Sequence, residues 1–369
     1  MARRLPTKPK IHSFFDVIFM EDHACQLRAG DDRILILRGR TVSEVFPHLL
    51  PHLDGTYTLS DLVHTCKDIA TEDEMIAILE RLNEEGIIED AALAPPSTLT
   101  SEEQTYYASQ LLFFSHFTED RYAYQAKLQG SHVAVIGLGT IGTAVLIALA
   151  RSGVGYITGV EDNISLADVG GLRPPALASV LEATNPGVRF TSINTTLHSV
   201  EDITAIATAK DVVVLALDKP RAGVHELVNQ VCLEGRIPWM TCGSLRSMAA
   251  TVGPFFVPYE TCCYTCYDRR MKSNLEVYRE YMAYEKYLQE KEGSLSDYGY
   301  LPGFATVTGD LMAVEIIKHL TQFVVPETYG AALCFNFLTL QTEVHEALKL
   351  PRCPSCGPAA RMPPRAVWS

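Results

Sequence analysis

The 369-residue chain is short of positive charge. It carries 31 lysines and arginines against 44 aspartates and glutamates, a formal net charge of −13, and no basic tract. Phosphate backbones are repelled by that balance, so neither nucleic acid nor an anionic membrane surface is an expected partner. No apolar run is long enough to cross a bilayer, because the stretch around Val145 is broken by Arg151 and Gly153. The charged opening MARRLPTKPK is not followed by an apolar core of seven or more residues. A signal peptide is therefore not expected, and a cytoplasmic location is. Internal repeats, low-complexity tracts and a Gly-x-Ser-x-Gly motif are all missing. The 11 histidines, His116 and His198 among them, show no metal-ligand or catalytic spacing. What the chain does have is apolar content: 47% of its residues, over a length that suits two domains, which excludes a largely disordered protein.

Three β-rich runs come first: SFFDVIFM, ACQLRAG and RILILRG. Three helical segments follow, TVSEVFPHLLPHLDG, TLSDLVHTCKDIA and TEDEMIAILERLNEEGIIED. The last has Thr71 and Glu74 spaced as a capping box, with Met75, Ile78, Leu79 and Leu82 at helical spacing. This pattern predicts a small winged-helix-like module over residues 1–95. The stretch AALAPPSTLTSEE (91–103) has a linker's composition, so residues 96–130 are expected to be a linker and a connecting helix, QTYYASQLLFFSHF. Strands and helices then alternate through HVAVIG, YITGVE, VRFTSIN, DVVVLAL and IPWMTCG. Over residues 131–369 that rhythm predicts an α/β, Rossmann-type domain with a parallel-rich sheet covered on both faces.

Gly137, Gly139 and Gly142 form G-x-G-x-x-G between a strand and a helix. Glycines there permit a tight turn and close backbone approach, and a helix N-terminus offers amides to a phosphate. Glu161, at the end of the next strand, is placed to hydrogen-bond a ribose. The motif fixes a shape more firmly than it fixes a ligand; the alternatives are a nicotinamide cofactor, ATP, or a turn that only packs the sheet. Two C-x-x-C pairs, Cys263/Cys266 and Cys353/Cys356, supply the four thiolates of a closed, tetrahedral, structural zinc site. Cys262 reads as a bystander, and Cys25, Cys66, Cys232, Cys242 and Cys334 read as small core residues.

Strand–GxGxxG–helix, an acidic strand end, LALDKP and the two cysteine pairs together resemble the ThiF/MoeB family over 104–358. Relatives in that family adenylate a C-terminal carboxylate with ATP and magnesium. SQLLFFSHF followed by HVAVIGLGTIG is more similar still to the ThiF-like proteins of azole-forming peptide pathways. In those pathways a recognition element binds the precursor's leader, and a separate YcaO-type protein uses ATP to cyclise Cys, Ser or Thr. The resemblance implies a non-catalytic subunit of such a complex, and homodimerisation through the ThiF-like domain. It also assigns residues. Glu161 matches the ribose-binding acid, Arg173 the family's arginine, and Asp218 the magnesium-binding aspartate. Pro174 stands in place of the family's glutamine. No lysine lies between Arg173 and Asn185, and Ser109 replaces the arginine contributed across the dimer. Two lost cations, each worth about 3 kcal/mol of transition-state stabilisation, would leave Arg173 and Asp218 as vestiges. An active ATP-dependent adenylating enzyme acting on a peptide carboxylate is the alternative.

Residues 1–95 hold ten basic and seventeen acidic side chains, a net of −7 that suits a DNA reader poorly. An exposed strand edge beside a helix suits β-augmentation by an extended peptide instead. By resemblance the groove lies between RILILRG and the third helix. Arg33, Ile34, Leu35, Ile36 and Leu37 would then offer main-chain partners, with Ile76, Leu79 and Asn83 facing the peptide.

Overall fold

A computed structural model of the chain describes residues 5–21, 23–31, 33–92, 99–118, 120–162, 174–219, 221–243, 248–290 and 299–357. The chain divides into two compact units, Met1–Tyr124 and Gln125–Ser369. Among the described residues no helix is long and apolar enough to cross a membrane.

In the first unit, β1 (Pro9–Ile11) pairs antiparallel with β5 (Ile88–Asp90), and β2 (Asp16–Phe19), β3 (Ala24–Ala29) and β4 (Arg33–Arg38) form an antiparallel meander. The three expected runs are the meander. The β1–β5 pair carried no signal, since three-residue strands are too short to show alternation. The segment expected as one helix after β4 breaks into α1 (Arg40–Glu44), α2 (Phe46–Leu49) and a 3₁₀ turn over Leu50–His52. Pro47 and Pro51 each sit at the start of a new helical piece, where a missing N–H costs nothing. α3 (Leu59–Thr65) and α4 (Glu72–Glu84) follow, each opened by a capping box. In α4 the Glu74 amide donates to Thr71 Oγ1 at 3.3 Å and the Thr71 amide to Glu74 Oε2 at 2.9 Å. Such a cap stabilises the helix by about 1 kcal/mol. Met75, Leu79 and Leu82 turn inward from α4 to meet Cys25 and Leu27 from β3 and Phe46, Leu49 and Leu62 from the other helices. α5 (Ser101–Tyr106) and α6 (Ala108–Phe114) complete the unit, so the connecting helix is two helices that belong with it. α7 (Arg121–Gly130) spans the boundary between the units.

The second unit is built on an eight-stranded sheet. Its first half alternates as expected: β6 (His132–Ile136), α8 (Thr140–Arg151), β7 (Tyr156–Asp162), α9 (Pro174–Thr184), β8 (Arg189–Thr195), α10 (Val200–Ala207), β9 (Val212–Leu215), α11 (Val224–Gly235) and β10 (Trp239–Cys242). β8, β7, β6, β9 and β10 are adjacent in that order and all parallel. β6 and β9 are fully apolar apart from the half-buried His132, as strands covered on both faces require. After β10 the sheet changes character. β11 (Ala249–Phe256), β12 (Ala331–Asn336) and β13 (Thr342–Glu346) extend it antiparallel, and β13 is exposed at every position. Between β11 and β12 lie α12 (Tyr264–Ser273), α13 (Tyr278–Glu290) and α14 (Pro302–Thr321). The fold is thus α/β with a large, mostly parallel sheet.

Candidate functional site

Strand order reverses between β6 and β9, and the carboxyl ends of these two strands are where a doubly wound sheet takes its ligand. The glycine-rich turn leaves β6 there, and Asp218 arrives from β9. Gly137 adopts φ = 100°, a backbone conformation that side chains disfavour. A Cβ on Gly139 would lie 2.7 Å from the Asp218 carboxyl, so only glycine lets that carboxylate approach. Gly142 is buried in the first turn of α8. Glu161, the last residue but one of β7, lies one register position beyond the Ile136–Val160 pair, beside the turn.

The first amides of α8 are already in use. Asp218, 7% exposed, accepts from the Thr140 amide at 2.7 Å and from the Ile141 amide at 3.1 Å. Tyr300 Oη donates to the same carboxylate at 3.2 Å and lies 3.0 Å from Thr140 Oγ1. A side-chain carboxylate therefore sits where a helix N-terminus would cradle a phosphate, and complements the helix dipole as a phosphate would. Sequence reasoning found Asp218 but missed Tyr300, 82 residues away and without a local motif. Arg221, a nearby cation in the sequence, instead donates to the Leu197 carbonyl at 2.8 Å.

A second cluster joins distant parts of this unit. The sulfurs of Cys263, Cys266, Cys353 and Cys356 all lie within 4.8 Å of one another. Cys263–Cys266, Cys263–Cys353 and Cys266–Cys356 are 3.8, 3.6 and 3.5 Å apart. Four thiolates around a tetrahedral metal at about 2.3 Å would have edges of about 3.8 Å, so the donor set and its spacing fit. Bonded sulfurs would be about 2.05 Å apart, so these thiols are not paired as disulfides. Burial opposes ionisation of Cys353, yet the backbone amides of Cys356 and Ser355 overcome it and hold the thiol at about 7. Burial pushes Cys263 up to about 11. The Leu350 amide points at Cys266 Sγ from 3.3 Å. Cys262 is buried beside the cluster but outside it, and Cys334 is only half-buried.

In the first unit β4 pairs with β3 alone, so among the described residues its other edge is free. Ile34 and Ile36 point outward, 47% and 49% exposed, while Leu35 and Leu37 pack inward. Ile76 on α4 is half-buried. Leu79 departs from expectation: it is fully enclosed, because its position on α4 falls on the stripe that meets β3, and it packs the core. Asn83 is also buried, but it lines a cavity of about 380 Å³ together with Arg33, His12, Phe14 and His116. Phe14 stacks between the two imidazoles, 4.7 Å from His12 and 4.2 Å from His116. Arg33 donates to the Glu85 carbonyl and lies 5.4 Å over the Phe15 ring.

The ThiF family model matches residues 107–357. The chain belongs to the ThiF family. It is 25% identical over 245 residues to the molybdopterin-synthase adenylyltransferase of Escherichia coli, covering 63% of this chain and 90% of that protein. It is 26% identical, again over 245 residues, to the sulfur carrier protein ThiS adenylyltransferase of the same organism, 63% of this chain and 88% of that protein. Among solved structures, E. coli MccB with AMPCPP and MccA superposes with a TM-score of 0.70 at 17% identity, over 95% of this chain and 99% of that one. The heterocyclase TruD gives 0.62 at 22% identity, over 95% of this chain but 43% of that one. Against the ThiF pattern, Asp218 follows β9 beside the glycine-rich turn with its carboxylate turned onto α8. Arg173 lies outside the described residues. The absence of lysine between Arg173 and Asn185 stands in the sequence.

Proposed function

We propose that the chain captures the leader of a ribosomally made precursor peptide and presents it to a separate YcaO-type enzyme, which uses ATP to form azolines. In this reading residues 1–95 are a winged-helix-like recognition element. Residues 96–130 connect it to a ThiF-like domain over 131–369, stabilised by structural zinc on Cys263, Cys266, Cys353 and Cys356. The domain acts as a non-catalytic subunit and pairs with a second copy. The observation that carries capture is the free edge of β4 beside α4, where an added strand gains main-chain hydrogen bonds and side-chain contacts together. MccB, similar over nearly the whole chain, has been solved with MccA, and TruD is a heterocyclase; both likenesses support a peptide-modifying role. The depleted cation set and the Asp218 carboxylate on the α8 amides support a silent nucleotide site.

The test is fluorescence anisotropy of the labelled leader against the full-length protein, with the leader N-methylated at one backbone nitrogen at a time. Strand addition predicts loss of binding at alternate positions, because only every second amide faces β4. Uniform tolerance of N-methylation excludes it.

A second reading is a working adenylating enzyme for a peptide carboxylate. The likeness to MccB, also solved with ATP, favours it, as does the presence of Asp218. ATP-dependent pyrophosphate release with precursor alone, lost in Asp218→Ala, would establish it.

A further inference from the structure

β13 ends the eight-stranded sheet, pairs with β12 alone, and is exposed at every position. Among the described residues its outer edge has no strand beside it. Proteins blunt such edges with lysine, proline or a bulge. β13 has none of these: it reads Thr342-Glu343-Val344-His345-Glu346 and keeps an unbroken register with β12.

The ladder fixes which main-chain groups that edge offers. The Asn336 amide donates to the Gln341 carbonyl at 2.9 Å, and the Ala347 amide to the Gly330 carbonyl at 2.8 Å. Antiparallel partners alternate between hydrogen-bonded and non-bonded pairs, so Gln341, Glu343, His345 and Ala347 turn their amides and carbonyls to β12. Thr342, Val344 and Glu346 turn theirs to the open edge. Apolar side chains cluster there as well. Val344 is 52% exposed, and Leu340 and Leu348, just past the two ends of the ladder, are 71% and 65% exposed. Leu348 is held at its carbonyl by the Arg270 guanidinium. On the other side of the strand, His345 Nε2 lies 3.3 Å from Glu343 Oε2.

We infer that β13 pairs edge to edge with β13 of a second copy, antiparallel and centred on Val344, joining the two sheets into one. The strand is self-complementary in that register. Val344 meets Val344 and Thr342 meets Glu346, all with outward-turned main chains, which makes about six new hydrogen bonds. Glu343 of each copy stands opposite His345 of the other in the closer, non-bonded pairing, a carboxylate against an imidazole. Leu340 of each copy comes toward Leu348 of the other, so the exposed leucines are covered at both ends. Centring on Glu343 instead would set glutamate against glutamate, which like charges oppose. A surface that fits itself in this way closes as a two-fold dimer. The inference names the surface for the pairing with a second copy proposed above and does not depend on peptide capture.

The test uses the full-length protein, with mass measured by sedimentation velocity and contact by cross-linking. The parent is expected to sediment as a dimer. Val344→Cys should form an intermolecular disulfide with diamide, since hydrogen-bonded partners have Cα atoms about 5.5 Å apart, within disulfide reach. Thr342→Cys, which faces Glu346, should not cross-link. Val344→Pro removes an amide that β12 does not use, so the chain should fold with the parent's circular dichroism and sediment as a monomer. His345→Glu should weaken association roughly tenfold, and Glu343→Arg in the same chain should restore it. A dimer in which Val344→Cys does not cross-link overturns the β13 surface and leaves pairing through another face standing. A parent that stays monomeric at every concentration defeats the pairing and the surface together.

Discussion

Asp218 is the residue at which a structural role and a metal-binding role demand opposite behaviour. Its carboxylate accepts two amides of the first turn of α8, and the group is 7% exposed. Replacing it with alanine leaves the Thr140 and Ile141 amides without that acceptor. Each stranded donor costs about 1–3 kcal/mol, and the lost charge at the helix N-terminus adds about 0.3–1 kcal/mol. Asp218→Ala is therefore expected to destabilise the second unit by about 4 kcal/mol. Asp218→Asn, which keeps one acceptor oxygen, should cost about 1–2 kcal/mol. For a unit of this size each kcal/mol moves the midpoint by about 2–4 °C, so the alanine variant should melt roughly 8–16 °C lower by scanning calorimetry without nucleotide or magnesium. A carboxylate kept only to hold magnesium would cost nothing under those conditions. An Asp218→Ala midpoint within a degree of the parent would refute the cap.

Three further outcomes are expected. Cys353→Ser should lower the metal content, measured by plasma emission spectroscopy, from one zinc per chain to near zero and collapse the second unit's melting transition; structural zinc stabilises by on the order of 10 kcal/mol in small modules. Leu79→Ala should cost about 2–5 kcal/mol in urea melts because it opens a cavity in the first unit's core, whereas Ile36→Asp, at an exposed site, should change stability by under about 0.5 kcal/mol while weakening peptide binding. Burial works to raise the Glu89 carboxyl, but His12 and Arg121 hold it below the ordinary glutamate range. A depressed carboxyl contributes stability that is present above its unfolded-state value and lost as pH falls through the folded one, so the first unit should weaken on acidification below about pH 4.5, and Arg121→Met should shrink that dependence.

The features legible in the sequence were those with local or short-period signals. β-rich composition marked the strands β2–β4, the Thr71–Glu74 spacing gave the start of α4, and the glycine turn with its following strands gave the parallel half of the sheet. Paired C-x-x-C spacing brought together four sulfurs that lie up to 93 positions apart in the sequence. The misses share one cause, which is that tertiary partners decide them. β1 and β5 exist because Pro9–Ile11 finds Ile88–Asp90, not because either is strand-like alone. The antiparallel β11–β13 extension depends on a return of the chain after three helices. Leu79 sits at a helical spacing that cannot separate a groove-facing position from a core one. His116, read as an ordinary residue, stacks on Phe14 at the cavity through an approach no spacing encodes.

The central claim is that the rear half keeps a nucleotide-holder's shape without driving acyl activation. The most direct test is pyrophosphate release from magnesium-ATP by the purified full-length protein supplied with its precursor peptide and no partner enzyme. Release at the level of the no-protein blank is the expected result. Precursor-dependent release with a mass-detected acyl-adenylate would contradict it.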